Sequence, residues 1–293
     1  MFPFPTFAQG AAPRVVVVGG GFAGASCTRA LRQADPRIAV TLVEANPIFI
    51  ACPLSNAVFG GLRELSAQEF TYERVAADGI VVVRGMASAV NAGARVVTLA
   101  DGTRLPYDRL VLAPGIDIRW GALAGYDEAA AASMPHAWRA GEQTVLLRRQ
   151  LEAMPDGGLV VIAAPANPFR CPPGPYERAS LIAHFLKTKR PKSKLIVLDA
   201  KDAFSKQGLF LAAWKELYPG LIEWVGLSDG GAPTRVDVKS RTVTTDFDKF
   251  TGGVINIIPP QIAGEAAKIA GVADRTGWCP VDPLTFESTL RKG

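Results

Sequence analysis

The chain has 293 residues, 48% hydrophobic and 20% charged, which gives apolar surface for about two globular domains and excludes a disordered chain. Its net charge of +5 is scattered except at Lys187–Lys194 (KTKRPKSK). Without interleaved aromatics that run gives no nucleic-acid signature, and it reads as a solvated turn or a docking point for an acidic protein.

Four widely spaced cysteines (Cys27, Cys52, Cys171, Cys279) and two histidines (His136, His184) exclude a disulfide-stapled mini-fold and offer no metal-ligand spacing. No apolar run reaches the ~18 residues that span a bilayer. Residues 1–13, MFPFPTFAQGAAP, lack the basic residue and continuous apolar core of a signal peptide, yet FAQGAAP has the small residues of a leader's end. They read as a leader remnant or a disordered start. RVVVVGGGFAGASCTRALRQ then predicts strand, tight turn and helix, and the four valines Val15–Val18 suit a strand buried on both faces. IAVTLVEANP predicts a second strand ending at Glu44. An irregular stretch, IFIACPLSNAVFGG, precedes a helical stretch near Leu65–Ala77. GIVVVRG and the segment from Ala87 to Gly115 predict a strand and an antiparallel meander, turned at ADGT and returning to a buried strand at Leu110–Leu112. Trp120 to Pro155 is Ala-rich and mostly helical or connecting. The opening pattern then recurs, with a buried strand, a loop, a helix and a strand ending at Asp199. VDVKSRTVTTDFDKF predicts a small β-ribbon, and GGVINIIPP a buried strand stopped by two prolines.

The expected fold class is α/β with two Rossmann-like dinucleotide-binding domains. The first is discontinuous, 14–120 and 251–293, and binds the dinucleotide; the second covers 121–250.

Gly19, Gly21 and Gly24, with Gly20 between them, form G-x-G-x-x-G between a buried strand and a helix, and Glu44 follows Gly24 by the expected spacing. The first glycine permits the tight turn. The second lets backbone N–H groups approach a pyrophosphate, and the third lets helix and strand pack closely. The helix N-terminus favours the anion, and the carboxylate accepts from a ribose hydroxyl. The strand end LVLAPG, closing at Gly115, brings small-residue backbone near a flat ring or a pyrophosphate. This favours FAD over NAD and sets Ala87 near the adenine. In the second unit the strand LVVIA runs into APANPFRCPPGP where a nicotinamide-binding domain would carry glycines. Prolines lack an N–H and fix φ, so that loop cannot wrap phosphates, and it presents Cys171 instead. At a helix N-terminus the Cys171 thiol is expected to have a lowered pKa. Glu177 reads as a proton carrier or as a carboxylate complementing the helix dipole. Cys27 reads as packing, His184 as helix face and His136 as part of a connection.

IACPLSNAV around Cys52, RCPPGPYERAS around Cys171 and GWCPVDPLTFES around Cys279 resemble the flavoprotein subunit of flavocytochrome c sulfide dehydrogenase. That family is allied to the sulfide:quinone oxidoreductases among glutathione-reductase-like flavoproteins, and the likeness runs from Arg14 onward. The resemblance implies FAD held by the glycine loop and Glu44, with Cys52 as a thioether attachment to the flavin. It implies that Cys171 is one half of a redox-active disulfide. The usual partner cysteine, a Gly-Asp motif and a C-terminal interface domain would lie past residue 293, so the chain reads as a fragment or a truncated relative; no role follows for Cys279, which is left as one candidate for the absent partner. The implied activity is FAD-dependent oxidation of sulfide, with electrons passed to a c-type cytochrome in the periplasm. Two alternatives stand beside it. One is a sulfide:quinone oxidoreductase, which needs a membrane-binding amphipathic C-terminus; the other is a non-catalytic FAD-binding fragment.

Overall fold

The computed structural model of the protein describes residues 12–293. The leader remnant expected at 1–13 falls, up to residue 11, outside the described residues. The chain divides into two compact units, each with a four-stranded parallel sheet.

Among the described residues the first unit comprises 12–49, 71–115 and 263–293. Strand β1 (Arg14–Val18) leads into helix α1 (Phe22–Ala34), followed by β2 (Ala39–Glu44), β3 (Val81–Arg84) and β4 (Arg109–Leu112). The sheet order is β3-β2-β1-β4, with Val16 opposite Thr41 on one side and Leu110 on the other. Successive side chains of a strand point to opposite faces. Val15 and Val17 therefore join Val40 and Leu42 in one apolar cluster, and Val16 and Val18 join Val43, Val97 and Leu99 in another. A strand covered on both faces needs an unbroken apolar run, and each fully buried valine or leucine contributes roughly 1.5–3 kcal/mol. A three-stranded antiparallel ribbon, Ala87–Asn91, Val96–Leu99 and Arg104–Pro106, stands between β3 and β4 in sequence.

The second unit, 50–70 and 116–262, repeats the plan. Strand β5 (Leu159–Ala164), helix α2 (Gly174–Lys189), β6 (Lys194–Asp199), β7 (Ile222–Val225) and β8 (Val254–Ile257) give the order β7-β6-β5-β8. A second antiparallel ribbon, Pro233–Asp237, Thr242–Thr245 and Lys249–Thr251, stands between β7 and β8.

The bounds of the two units differ from the sequence reading. Strand β8 pairs parallel with β5, Val161 opposite Ile255, so residues 251–262 belong to the second unit. Residues 50–70 do too. The helix expected near Leu65–Ala77 is broken into a 3-10 turn at Leu65–Gln68, an extended pair Glu69–Phe70 and a short helix Glu73–Ala77. The break follows from backbone pairing, since the Gln68 carbonyl is taken by the Ala51 N–H at 2.9 Å. Among the described residues no helix is long and apolar enough to cross a membrane.

Candidate functional site

In the first unit the loop between β1 and α1 has the geometry of a phosphate cradle. Gly19 has φ +103°, and a Cβ there would stand 2.2 Å from the Ala113 carbonyl oxygen. A Cβ on Gly24 would stand 1.8 Å from the Gly19 oxygen, so only glycine lets α1 approach β1. Gly20 is closed by the Tyr72 ring, 2.7 Å from an added Cβ, and the Tyr72 hydroxyl donates to the Gly20 carbonyl at 3.1 Å. Gly21, which caps α1 with φ −70°, meets only Phe49 at 3.8 Å. The space beside Gly21 is open, as an approaching pyrophosphate requires. The Glu44 carboxylate accepts from Gly20 N at 2.7 Å, Asn46 N at 2.8 Å and Asn46 Nδ2 at 3.0 Å, which fixes it beside the loop. Burial and the Glu44 charge push the Tyr72 phenol up to about 12. Gly115, at φ +64°, lines an apolar cavity of about 370 Å³ with Leu110, Leu112, Pro114 and Trp278. Ala87 packs in the cluster of Val97 and Leu99.

The corresponding place in the second unit is filled. Asp199, at the end of β6 like Glu44 at the end of β2, is fully buried. It accepts from the Tyr176 hydroxyl at 2.6 Å, Trp224 Nε1 at 3.0 Å and Lys201 Nζ at 2.5 Å. Phe204 stacks on Tyr176 with ring centroids 3.6 Å apart.

The loop after β5 instead brings two thiols to shared cations. Cys52 closes a turn in which Ser55 N donates to its carbonyl at 3.0 Å, leading into a short helix, Asn56–Phe59. Cys171 has φ +63°, a left-handed conformation costing on the order of 1–3 kcal/mol for a residue with a Cβ and often found at functional sites. Gly174 N donates to the Cys171 carbonyl at 2.9 Å, and α2 begins there. The Arg170 guanidinium donates to Cys52 Sγ at 3.2 Å and to the Trp138 carbonyl, while Arg170 N donates to Gln261 Oε1 at 2.9 Å. Glu177 accepts from Asn56 Nδ2 at 2.7 Å, so the two cysteine motifs are also tied through their neighbours.

Beneath them Arg178 is wholly buried. Its guanidinium donates to Asn56 Oδ1 at 3.1 Å, the His136 carbonyl at 2.9 Å, Asn256 Oδ1 at 2.8 Å and the Ala137 carbonyl at 2.6 Å. The Phe59 and Trp138 rings lie within 5.0 Å of it. Burial pushes the guanidinium down to about 9, opposed by Cys52, Cys171 and Glu177. His136 Nδ1 accepts from Trp138 N at 2.9 Å, and burial next to Arg178 pushes this imidazole down to about 4. The low pKa expected of Cys171 is corrected. Partial desolvation, then the Glu177 carboxylate, hold the thiol above its ordinary value, against the Gly174 N–H and Arg170.

A family model described as "Sulfide dehydrogenase [flavocytochrome c] flavoprotein chain, central" matches residues 144–259, and one described as "Pyridine nucleotide-disulphide oxidoreductase" matches 13–152. The sulfide dehydrogenase [flavocytochrome c] flavoprotein chain of Chlorobaculum thiosulfatiphilum is 64% identical over 45 residues, 15% of this chain and 94% of that sequence. The chain belongs to the flavocytochrome c sulfide dehydrogenase flavoprotein family. The mitochondrial sulfide:quinone oxidoreductase of Mus musculus is 23% identical over 281 residues, 93% of this chain and 62% of its own length. The solved sulfide:quinone oxidoreductase of Aquifex aeolicus superposes with a TM-score of 0.75 at 23% identity, covering 91% of this chain and 63% of that one. This chain thus spans a little under two thirds of these full-length relatives, and the likeness to the solved structure concerns the fold.

For this flavocytochrome c-type chain, the sequence-read residues fall into two groups. Gly19, Gly20, Gly21, Gly24 and Glu44 form one cradle in the first unit. Cys52, Cys171 and Glu177 meet in the second. Cys279 packs in a small apolar cluster with Ala267 and Val272 in the first unit, and burial raises the thiols of Cys27 and Cys279. All four cysteines are free. Sequence reasoning missed Arg178, Asn256, Asn56, Arg170 and Trp138. A signal existed for two of them. Arg178 shares a helical stripe with the buried Ile182 and Leu186, and Asn256 is the polar residue inside the buried strand β8. A polar residue at a core position demands partners.

Proposed function

We propose that this chain is the FAD-bearing part of a sulfide dehydrogenase that oxidises sulfide at Cys171 and hands the electrons to a c-type cytochrome. The observation that carries this reading is the meeting of Cys52, 118 residues away in sequence, with the guanidinium of Arg170, the residue before Cys171, in a Rossmann-like unit whose phosphate loop is replaced by prolines. Gly19, Gly20, Gly21, Gly24 and Glu44 would hold the ADP half of FAD, with Ala87 towards the adenine, Gly115 at the strand end and Cys52 as the covalent attachment. Bound FAD supplies a two-electron acceptor that releases electrons singly. Cys171 acts as half of a cysteine disulfide. Hydrosulfide attacks the partner sulfur, a new S–S bond forms there, and the old S–S bond breaks. Cys171 then leaves as a thiolate with the bonding pair. Glu177, whose charge acts on the Cys171 thiol, accepts or returns the proton. The reading places the protein in the periplasm beside a cytochrome subunit. A quinone acceptor is the second reading, favoured by the 281-residue likeness to the mouse oxidoreductase.

Anaerobic titration of flavin-loaded protein with sulfide tests this. The flavin should bleach in the wild type and stay oxidised in Cys171→Ser, which keeps its FAD because the glycine loop belongs to the other unit. Wild-type bleaching of Cys171→Ser would overturn the assignment. Offering cytochrome c or a soluble quinone to the reduced protein separates the two acceptors. Acid-precipitated protein should keep its flavin, and Cys52→Ala should release it.

A further inference from the structure

The donors to Asp199 are not spread evenly over its two oxygens. The Tyr176 hydroxyl at 2.6 Å and Trp224 Nε1 at 3.0 Å both reach Oδ2, while the Lys201 ammonium holds Oδ1. A single carboxylate oxygen therefore joins the O–H of a phenol to the N–H of an indole, the two ring types that most readily give up one electron together with a proton. The rings are joined as well. Phe204 stacks on Tyr176 with centroids 3.6 Å apart and lies 5.5 Å from the Trp224 ring. The two ends differ in access. Tyr176 is fully buried, whereas Trp224 is partly exposed and lines a surface cavity with Phe247 and Phe250. Burial, then the hydrogen bond to the Asp199 carboxylate, hold the Tyr176 phenol far above its ordinary pKa. It gives up its proton only when an electron leaves too, and Oδ2 is placed to take that proton. Trp120 and Tyr126 provide a contrast. Their rings are 6.0 Å apart, but the Tyr126 hydroxyl donates to the Met134 carbonyl at 2.7 Å, and a backbone carbonyl is no base.

We propose that Trp224, Asp199 and Tyr176 form a radical relay that passes an oxidising equivalent from the surface to a buried tyrosine. The oxidant is a freely diffusing one-electron oxidant, such as an inorganic radical. It takes one electron from the Trp224 indole, whose N–H proton passes to Oδ2. One electron then moves from the Tyr176 phenol to the indolyl radical. The proton on Oδ2 returns to Nε1, and the phenolic proton replaces it on Oδ2. Trp224 is restored, Asp199 keeps one proton, and Tyr176 becomes a neutral tyrosyl radical that solvent does not reach. The relay spares a surface indole from irreversible oxidation, and it does not depend on the function proposed above.

The test uses the reduced 293-residue chain and needs neither flavin nor sulfide. Pulse radiolysis in azide solution generates the azide radical, which oxidises tryptophan in preference to the other aromatic side chains. Indolyl and tyrosyl radicals absorb at different wavelengths. In the wild type the indolyl band should decay as the tyrosyl band rises, in a first-order phase that is independent of protein concentration and slower in heavy water. Tyr176→Phe and Trp224→Phe should each remove most of this phase, whereas Trp120→Phe and Tyr126→Phe should leave its rate unchanged. Asp199→Asn keeps an acceptor oxygen that takes up no proton, and should slow the phase by about 100-fold. A tyrosyl rise that survives Tyr176→Phe, a rate unchanged in heavy water, or a wild type without such a phase would each overturn the relay. If Asp199→Asn fails to fold, the isotope effect and the phenylalanine variants still decide.

Discussion

The Tyr176 hydroxyl donates a 2.6 Å hydrogen bond to the buried Asp199 carboxylate, and this bond occupies the acceptor that a ribose would need in the second unit. Trp224 Nε1 and Lys201 Nζ donate to the same carboxylate, and Phe204 covers the tyrosine ring. With the ribose acceptor buried and already bonded to three donors and prolines in the phosphate loop, two recognition elements worth about 1–3 kcal/mol each are lost. NADH and NADPH should therefore reduce bound flavin about 100-fold more slowly than sulfide, or slower still. Stopped-flow absorbance checks this, and bleaching by NADH at the sulfide rate would refute it.

The glycines of the first loop should separate into two behaviours. Gly24→Ala places a methyl 1.8 Å from the Gly19 oxygen and should destabilise the first unit by about 3 kcal/mol or more. Gly21→Ala has room and an ordinary φ. It should melt within a degree or two of the wild type yet bind FAD at least about ten-fold more weakly, because the added methyl stands where the pyrophosphate must approach. Thermal melts and flavin release, read together, distinguish a structural glycine from a ligand-facing one.

Glu177 opposes ionisation of Cys171, second only to desolvation. Glu177→Gln removes that repulsion while keeping an acceptor for Asn56. The Cys171 pKa should fall, and alkylation by iodoacetamide at pH 7 should speed up several-fold. An unchanged pH profile of alkylation would show that the carboxylate is screened from the thiol.

His136 is pushed down to about 4 from 6.5, and its Nδ1 accepts from Trp138 N, so the folded state holds it neutral. As pH falls from about 6.5 towards 4, the unfolded chain takes up a proton that the folded chain refuses, and stability drops. Above pH 6.5 the effect vanishes. The loss across that window is up to about 3 kcal/mol. His136→Asn supplies an acceptor that does not titrate, and its urea midpoint should be flatter between pH 6.5 and 4 than that of the wild type. Parallel curves would refute the assignment.

The parts of this fold legible from the sequence were those set by local pattern. Val15–Val18 and the spacing from Gly24 to Glu44 specify strand, turn, helix and strand without help from the rest of the chain. The recurrence around Leu159–Asp199 was visible for the same reason. The bounds of the units were not, because the placement of Val254–Ile257 depends on a partner strand, β5, almost a hundred residues earlier. The helix expected near Leu65–Ala77 failed similarly: the Ala51 N–H claims a carbonyl that local propensity assigns to a helical turn. In the candidate site, Cys52 and Cys171 stood out through their prolines, whereas Arg178 looked like one more charged residue of a helix. Its burial exists only because Asn56, His136, Ala137 and Asn256 arrive from distant segments. The Cys171 thiol is raised because desolvation and the Glu177 carboxylate, which its own segment's pattern does not display, outweigh the Gly174 N–H and Arg170.

The four acceptors of Arg178 also impose an order in time. On the ribosome Asn56, His136 and Ala137 emerge before the arginine, but Asn256 emerges long after it. Until then the guanidinium lacks one of its anchors, and so does the 135–136 segment, whose carbonyls accept from the Asn256 amide. The thiols of Cys52 and Cys171 are thus synthesised early and fixed late. During that interval they are exposed to any oxidant in the compartment where folding takes place, with no geometry yet to choose between their partners.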